Sequence, residues 1–225
     1  MKYIVMDIEG TTTAISFVHE VLFPFARKRM KDFVEGNLNN DDVQTCLNDV
    51  AQTIQEEEGK TSSTNEQIEA LIKWIDNDRK HGALKKLQGM IWKEGFEDGS
   101  LKGHFYDDVP VNLKKWKAAG YTLGVYSSGS VQAQKLIYKY SSFGDMTDLL
   151  SFYFDTAIGH KREVSSYKNI IHELGGDPSE YLFLSDVFQE LDAAQQAGMK
   201  TIQLERQEIV KGDHPIVKDF NQIEL

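Results

Sequence analysis

The chain has 225 residues, of which 40% are hydrophobic and 27% charged, and this composition suits one or two globular domains with a buried core. Its formal charge of -10 argues against binding to nucleic acid or to an anionic membrane, because both need basic patches. An acidic surface also repels an anionic substrate, so such a substrate would need a local cation at its site.

The single cysteine, Cys46, excludes an internal disulfide and indicates a reducing compartment. The apolar run at Tyr3–Met6 is too short for a signal peptide, and no other stretch is long enough to span a membrane. We therefore expect a cytoplasmic protein. We also expect a monomer, because the sequence shows no heptad seam and no long apolar patch.

In chain order, the sequence predicts a first strand at Tyr3–Met6 and then a long stretch without a strand pattern, from Phe17 to His104. Helical patterns fill this stretch at about residues 17–35, 41–58, 66–80 and 83–98. Ser63 and Glu66 have the spacing of a capping box before the third of these helices.

After this stretch, strand and helix patterns alternate. The predicted strands are Tyr121–Tyr126, Phe152–Ile158, Tyr181–Ser185 and Lys200–Leu204, and the predicted helices are Pro110–Ala119, Val131–Tyr140, Ser165–Leu174 and Phe188–Ala197. Asp107 or Asp108 is predicted to cap the first of these helices. The fold class is therefore α/β, with a doubly wound parallel sheet. The expected domains are a core of residues 1–16 plus 105–225 and an all-helical cap domain, residues 17–104, inserted after the first strand.

The first candidate for chemistry is the pair Asp7 and Glu9, directly after the first strand and before Gly10. Ligands of a doubly wound sheet bind beyond the carboxyl ends of its strands, and residues two apart share a face. Two such carboxylates would repel each other unless a cation or a proton lies between them. A polar turn from strand to loop explains the same residues equally well.

Three further segments follow other predicted strands. Ser127, Ser128 and Gly129 precede the helix that begins at Val131, where hydroxyl and N–H groups can bind an anion, although such runs are often plain turns. Lys161 follows the third predicted strand and could neutralise a phosphate; a solvated surface lysine is the alternative, and Lys168 is its local competitor.

Asp186 follows the fourth predicted strand and is a candidate ligand for a hard cation, or else a cap for the next helix. Glu190 lies one helical turn further on and could support Asp186. Each signal is weak when taken singly. Taken together, these residues follow four different strands of one predicted sheet: Asp7 and Glu9, Ser127, Lys161, and Asp186. We therefore predict that they form one site at the carboxyl edge of that sheet.

This order of motifs resembles the haloacid dehalogenase superfamily, whose cap domain occupies the position of the helical insert. Most of that superfamily has Asp two residues after the nucleophile, whereas this chain has Glu9. Several runs are similar to the enolase-phosphatase family, also called acireductone synthases: residues 7–13, 15–19, 21–24, 26–27, 126–131, 159–161 and 166–167. Ala14 departs from the expected Pro, which affects loop rigidity more than chemistry.

The resemblance implies a magnesium-dependent phosphatase of methionine salvage. Its substrate would be 2,3-diketo-5-methylthiopentyl 1-phosphate, which is enolised and then loses phosphate to give the acireductone. Asp7 would be the nucleophile and Glu9 the general acid and base. Lys161 would neutralise charge on the phosphoryl group. Ser127, Ser128 and Gly129 would also bind that group. One Mg²⁺ per subunit would be held by Asp7, the Glu9 carbonyl and Asp186.

Three alternatives share these residues. The first is a phosphatase of the same superfamily that acts on another small phosphate ester. The second is a metal-free dehalogenase in which Asp7 attacks carbon, although Glu9 and Asp186 favour a cation. The third is a protein that binds magnesium and phosphate without turnover, which an intact set of acids disfavours.

Overall fold

A computed structural model describes all residues, 1–225, and divides them into two compact units. The first unit comprises residues 1–15 and 102–225, and the second comprises residues 16–101. None of the helices combines the length and the apolar character that crossing a membrane requires.

The first unit is built on a six-stranded sheet in the order β3-β2-β1-β4-β5-β6, and all of its neighbouring strands run parallel. The strands are β1 (Tyr3–Met6), β2 (Thr122–Tyr126), β3 (Phe152–Phe154), β4 (Tyr181–Ser185), β5 (Lys200–Leu204) and β6 (Ile216–Val217). In register, Met6 lies between Val125 and Leu184. The carboxyl ends of the central strands therefore meet at one edge, and the predicted fold class is confirmed.

Four α-helices flank this sheet, and a loop connects each of them to the strand that follows it in the chain. They are α5 (Asp108–Ala118), α6 (Val131–Lys139), α7 (Val164–Leu174) and α8 (Phe188–Gln196), with short 3₁₀ turns at Thr147–Leu149, Pro178–Glu180 and Phe220–Gln222. Gly120 and Gly198 follow α5 and α8 with positive φ values of 89° and 97°. Glycine tolerates this conformation at the end of a helix, as predicted for both positions.

Side chains alternate between the two faces of the sheet and are buried on both. Tyr3 and Val5 of β1 join a core cluster with residues from α7 and α8, including Tyr167 and Leu191. Ile4 and Met6 point to the opposite face and are fully buried as well. A continuous apolar run such as that of β1 is typical of a parallel strand covered by helices on both sides.

The second unit is all-helical. A π-helix (Phe17–Leu22) leads directly into α1 (Phe23–Gly36), which is followed by α2 (Asp41–Glu58), α3 (Thr64–Asp76) and α4 (Gly82–Glu97). α1 packs against α3 and α4, and α2 packs against the same two helices. The predicted capping box of Ser63 and Glu66 is present at the start of α3. Cys46 is a free, buried thiol of α2.

Apart from shifts of a few residues at the ends of elements, such as α3, the structure differs from the predicted elements at four places. β3 ends at Phe154, because the Asp155 carboxylate accepts hydrogen bonds from the N–H groups of Ala157 and Val131 and turns the chain. The cap prediction for α5 is wrong, because Asp107 makes no side-chain cap bond and Asp108 lies within the helix. β6 was not predicted, and the first helical pattern of the insert divides into a π-helix and α1.

Candidate active site

Four loops at the carboxyl edge of the sheet carry the candidate residues. Asp7 directly follows β1, Ser127 follows β2, Lys161 lies in the loop after β3, and Asp186 directly follows β4. These strands are neighbours in the order β3-β2-β1-β4. Because parallel strands end on the same side, the topology places residues that are distant in sequence along one rim.

The loop after β1 closes on itself and fixes Asp7. The carbonyl of Ile8 accepts hydrogen bonds from the N–H groups of Thr11, Thr12 and Thr13 at 3.3, 3.0 and 2.8 Å. The Asp7 Oδ1 atom accepts a hydrogen bond from the Ile8 N–H at 2.7 Å. The nucleophile predicted from the sequence is therefore a buried carboxylate with a defined orientation, since only 4% of Asp7 is exposed.

Lys161 is the cation at the centre of the site. Its Nζ atom lies 2.6 Å from Asp7 Oδ1 and 2.7 Å from Glu190 Oε2, and all three side chains are at least nine-tenths buried. The hydroxyl of Tyr167 donates a hydrogen bond to the Lys161 carbonyl at 2.6 Å, which anchors the loop below the ammonium group. Lys168, the alternative raised from the sequence, is exposed.

The charges of this cluster do not balance. Burial alone would lower the pKa of Lys161, but Asp7 and Glu190 outweigh burial, and the pKa is raised well above its usual range. Burial and then the charge of Asp7 raise the pKa of Glu190 to about 7, against the opposing effect of Lys161. One permanent cation thus faces more negative charge than it can neutralise.

Asp186 adds to this excess of negative charge. Its Oδ1 atom is buried and has no hydrogen-bond partner. Burial, followed by the charge of Asp7, raises the pKa of Asp186 to about 7. An unpaired buried carboxylate oxygen is costly unless a cation or a proton occupies the space beside it. Oxygen donors of this kind suit a hard divalent cation.

Gly10 brings the first loop against Asp186. Its φ is +72°, and a Cβ atom at this position would lie 2.2 Å from the Asp186 Oδ2 atom. Only glycine allows this approach of backbone to carboxylate. The structure contains no group of three or more His, Cys, Asp or Glu side chains placed to share a metal ion. The metal ligands predicted from the sequence include two side chains, those of Asp7 and Asp186, and the main-chain carbonyl of Glu9 as the third group.

Ser127, Ser128 and Gly129 form the turn between β2 and α6. Ser127 is 3% exposed, and its Oγ atom accepts a hydrogen bond from the Gly129 N–H at 3.1 Å. Ser130 caps α6 by accepting a hydrogen bond from the Ala133 N–H at 3.3 Å. The Gly129 N–H is thus directed at Ser127 rather than at a ligand, and the Ser127 hydroxyl keeps its own proton to donate.

Sequence reasoning missed two contacts of the site. Glu190 was expected to support Asp186, but its carboxylate contacts Lys161 and also accepts a hydrogen bond from the Ser185 hydroxyl at 3.1 Å. Gln203, buried in β5, donates a hydrogen bond to the Asp186 carbonyl at 2.9 Å and was not singled out. A glutamine within an otherwise buried strand was the available signal, because a buried amide needs specific partners.

The sequence is similar to known hydrolases along almost its whole length. The family model of haloacid dehalogenase-like hydrolases matches residues 1–198. The chain is 52% identical to the Enolase-phosphatase E1 of Citrobacter koseri over 99% of this chain and 96% of that protein. It is 49% identical to the protein of the same name from Pseudomonas fluorescens, over 100% of this chain and 97% of that one.

Solved structures show the same architecture. The UTR4 protein of Saccharomyces cerevisiae superposes with a TM-score of 0.81 at 31% identity and covers 99% of both chains. A haloacid dehalogenase-type phosphatase from Thermococcus onnurineus superposes with a TM-score of 0.62 at 17% identity, over 99% of this chain and 95% of that one. The second likeness concerns the fold alone.

Proposed function

Because the chain belongs to the haloacid dehalogenase-like hydrolases and, within them, to the enolase-phosphatases, we propose that it converts 2,3-diketo-5-methylthiopentyl 1-phosphate to the acireductone and phosphate in methionine salvage. The observation that carries the proposal is the buried contact between Asp7 and Lys161 at the edge of the sheet. It places a nucleophile beside a cation that can receive an anionic ester on an otherwise acidic protein.

Asp7 is the proposed nucleophile. Lys161 and the Ile8 N–H both contact its Oδ1 atom, so we assign the attack on phosphorus to Oδ2. The Oδ2–P bond forms as the bond from phosphorus to the ester oxygen breaks, and an aspartyl-phosphate results. Water then attacks phosphorus, which releases phosphate and restores the carboxylate.

Glu9 is the proposed acid and base. It lies two residues after Asp7, on the loop that Gly10 holds against Asp186. Glu9 donates a proton to the departing ester oxygen and takes a proton from the water that cleaves the aspartyl-phosphate. The enolisation step also needs a base for the proton on carbon, and Glu9 is one candidate for that task.

Ser127, Ser128 and Lys161 are the proposed phosphate contacts. The Ser127 hydroxyl is oriented by the Gly129 N–H, so its proton can be donated to a phosphoryl oxygen. The role of Gly129 is therefore to orient Ser127. Lys161 supplies positive charge for the phosphoryl oxygens, and Glu190 keeps its ammonium group in place from the other side.

Mg²⁺, one per chain, is the proposed cofactor, and the chain is proposed to act as a monomer in the cytoplasm. Asp7, Asp186 and the Glu9 carbonyl are the groups that would hold the ion. When bound, a divalent cation neutralises the carboxylates and draws charge from the phosphoryl oxygens. The unpaired Asp186 oxygen and the raised pKa of Asp186 support this assignment.

The test is phosphate release from 2,3-diketo-5-methylthiopentyl 1-phosphate with and without Mg²⁺, while the absorbance of the enediol is followed. Magnesium-dependent release that is accompanied by the enediol is the expected result. If this ester is stable but other phosphate esters are hydrolysed, the substrate assignment is wrong and the phosphatase assignment stands. Turnover that is insensitive to a chelator would contradict the role of Mg²⁺.

A further inference from the structure

Arg206, in the segment after β5, reaches the loop that carries Glu9. Its Nε atom donates a hydrogen bond to the Thr11 carbonyl at 3.1 Å. Its two terminal nitrogens each donate one hydrogen bond of 2.8 Å to the Asp108 carboxylate. The side chain is only 4% exposed, so the core of the first unit holds this charge away from water. A buried bidentate pair of this kind has a strongly defined geometry.

Aromatic rings pack against the guanidinium group of Arg206, in addition to the hydrogen bonds that its nitrogen atoms donate. The rings of Tyr106 and Phe220 lie with their centroids 4.4 and 5.0 Å from the central carbon of Arg206. Asp108 is fixed in turn, because its Oδ2 atom accepts a hydrogen bond from the Phe220 N–H at 2.7 Å. Arg206 therefore joins α5 and the C-terminal segment to one carbonyl of the loop after β1.

That carbonyl belongs to the loop after β1, which is bonded to the rest of the unit at both of its ends: the Asp7 N–H donates a hydrogen bond to the Leu184 carbonyl, and Thr13 Oγ1 donates one to the His104 carbonyl at 2.7 Å. The N–H groups of Thr11, Thr12 and Thr13 point inward to the Ile8 carbonyl. The carbonyls of Thr11 and Thr12 accept instead from outside the loop, from Arg206 and from the Tyr106 N–H at 3.1 Å. Arg206 is thus the side chain that holds the Thr11 carbonyl, two residues after Glu9, between the fixed ends of the loop.

We infer that Arg206 is a positioning residue that acts through Glu9: it holds the Thr11 carbonyl so that the Glu9 carboxyl group meets the departing ester oxygen. The inference rests on the proposed function and adds a residue to it. Lysine in place of Arg206 would keep the positive charge. It could not make the two parallel hydrogen bonds to the Asp108 carboxylate together with the hydrogen bond to the Thr11 carbonyl. The loop would then lose its hydrogen bond at the Thr11 carbonyl, while Lys161 and Ser127 of the phosphate site would remain in place.

The experiment compares two esters with each enzyme. An alkyl phosphate needs a proton at its leaving oxygen, whereas p-nitrophenyl phosphate has a stable leaving anion and needs little help from an acid. The ratio kcat/KM covers the steps up to the departure of the leaving group. For Arg206→Lys we expect kcat/KM to fall at least about thirtyfold for the alkyl ester and no more than about threefold for the aryl ester.

Two further variants make the result specific. Arg79→Lys is the matched control, because Arg79 also makes a bidentate pair, with Glu57 at 2.8 and 2.6 Å, over the ring of Trp74, but in the second unit. It should leave both esters unaffected. Glu9→Gln should show the same selective loss as Arg206→Lys, and the double variant should lose much less than the product of the single losses.

The ratio of the kcat/KM values for the two esters does not depend on the fraction of folded enzyme, because both values are measured on the same preparation. Equal losses for the two esters in Arg206→Lys would overturn the inference and leave the phosphatase assignment intact. Multiplicative losses in the double variant would overturn it as well, since the two residues would then act separately. Failure of the parent enzyme to release phosphate from these esters and from 2,3-diketo-5-methylthiopentyl 1-phosphate would instead contradict the proposed function.

Discussion

Two buried ion clusters of the first unit differ in how completely their charges are paired. Arg206 and Asp108 form a one-to-one pair in which the carboxylate is also bonded by the Phe220 N–H. Lys161 faces both Asp7 and Glu190, and the Asp186 oxygen nearby has no partner. A balanced pair needs no further partner, whereas an excess of buried negative charge is typical of sites where a ligand or a reaction uses it.

The pKa directions of the carboxylates separate the clusters in the same way. Burial alone would raise the pKa of Asp108, but the hydrogen bonds from Arg206 and the Phe220 N–H outweigh it, and the pKa is lowered. The pKa of Asp186 and that of Glu190 are instead both raised to about 7. Burial raises the pKa of all three carboxylates, and only for Asp108 do the hydrogen bonds and charge of its partners outweigh burial.

The largest effect is expected at the centre of the unbalanced cluster. Asp7→Asn should reduce phosphate release at least about a thousandfold, because the amide cannot form the aspartyl-phosphate. Circular dichroism should show an unchanged fold, since the substitution removes surplus negative charge. Asp76→Asn, which alters an exposed carboxylate paired with Arg27, is the control and should keep full activity. Residual activity of Asp7→Asn within about tenfold of the parent would remove Asp7 from the role of nucleophile.

A second substitution tests the contact between the two acid loops. Gly10→Ala would place a methyl group 2.2 Å from Asp186 Oδ2, and we expect activity to fall by about a hundredfold as the loops separate. Gly59→Ala is a close control, because Gly59 has a φ of +70° and open space around its Cβ position. It carries the same backbone strain but should leave kcat and KM unchanged. Equal activity of the two variants would mean that the close approach of Gly10 to Asp186 does not matter.

The balanced pair should respond in stability and in its pH dependence. We expect Asp108→Asn to lower the free energy of unfolding at pH 7 by about 2 kcal/mol, as measured by urea denaturation. Because the pKa of Asp108 is lowered in the folded state, its stabilisation is present above the unfolded pKa of about 3.9 and is lost as the pH falls through the folded value. The difference between parent and variant should therefore shrink below about pH 4. A difference that is independent of pH would contradict this explanation.

The smallest effect is expected at the second anchor of Lys161. Glu190→Gln keeps a group that can accept hydrogen bonds from Ser185 and Lys161 but removes the charge. Lys161 then keeps Asp7 as its charged partner, and we expect kcat/KM to fall by about tenfold. Glu205→Gln, which alters the pair of half-buried Glu205 with exposed Lys211, is the control. No loss in Glu190→Gln would show that Asp7 alone is enough to hold Lys161.

The sequence predicted the sheet well where its strands are long apolar runs, and it predicted one edge for the site because parallel strands end together. β6 has only two residues, which is too short for a periodic signal. The extent of β3 was wrong because Asp155 ends the strand through hydrogen bonds that residue type alone does not specify.

The supporting contacts of the site were beyond sequence reasoning. Arg206 and Thr11 are 195 positions apart, and only the folded sheet brings them together. Helical spacing suggested Asp186 as the partner of Glu190, but the orientation of α8 directs that carboxylate to Lys161. Such contacts depend on how elements pack rather than on local patterns.

The central claim is that the unpaired acids at the sheet edge are placed for a divalent cation. We would measure the melting temperature of the parent, Asp186→Asn and Asp108→Asn while Mg²⁺ is titrated. An ion that binds only the folded state raises its stability by an amount that grows with the logarithm of the ion concentration relative to Kd. Mg²⁺ should raise the melting temperature of the parent and of Asp108→Asn by similar amounts and that of Asp186→Asn by far less. An equal gain in Asp186→Asn and the parent would contradict the claim.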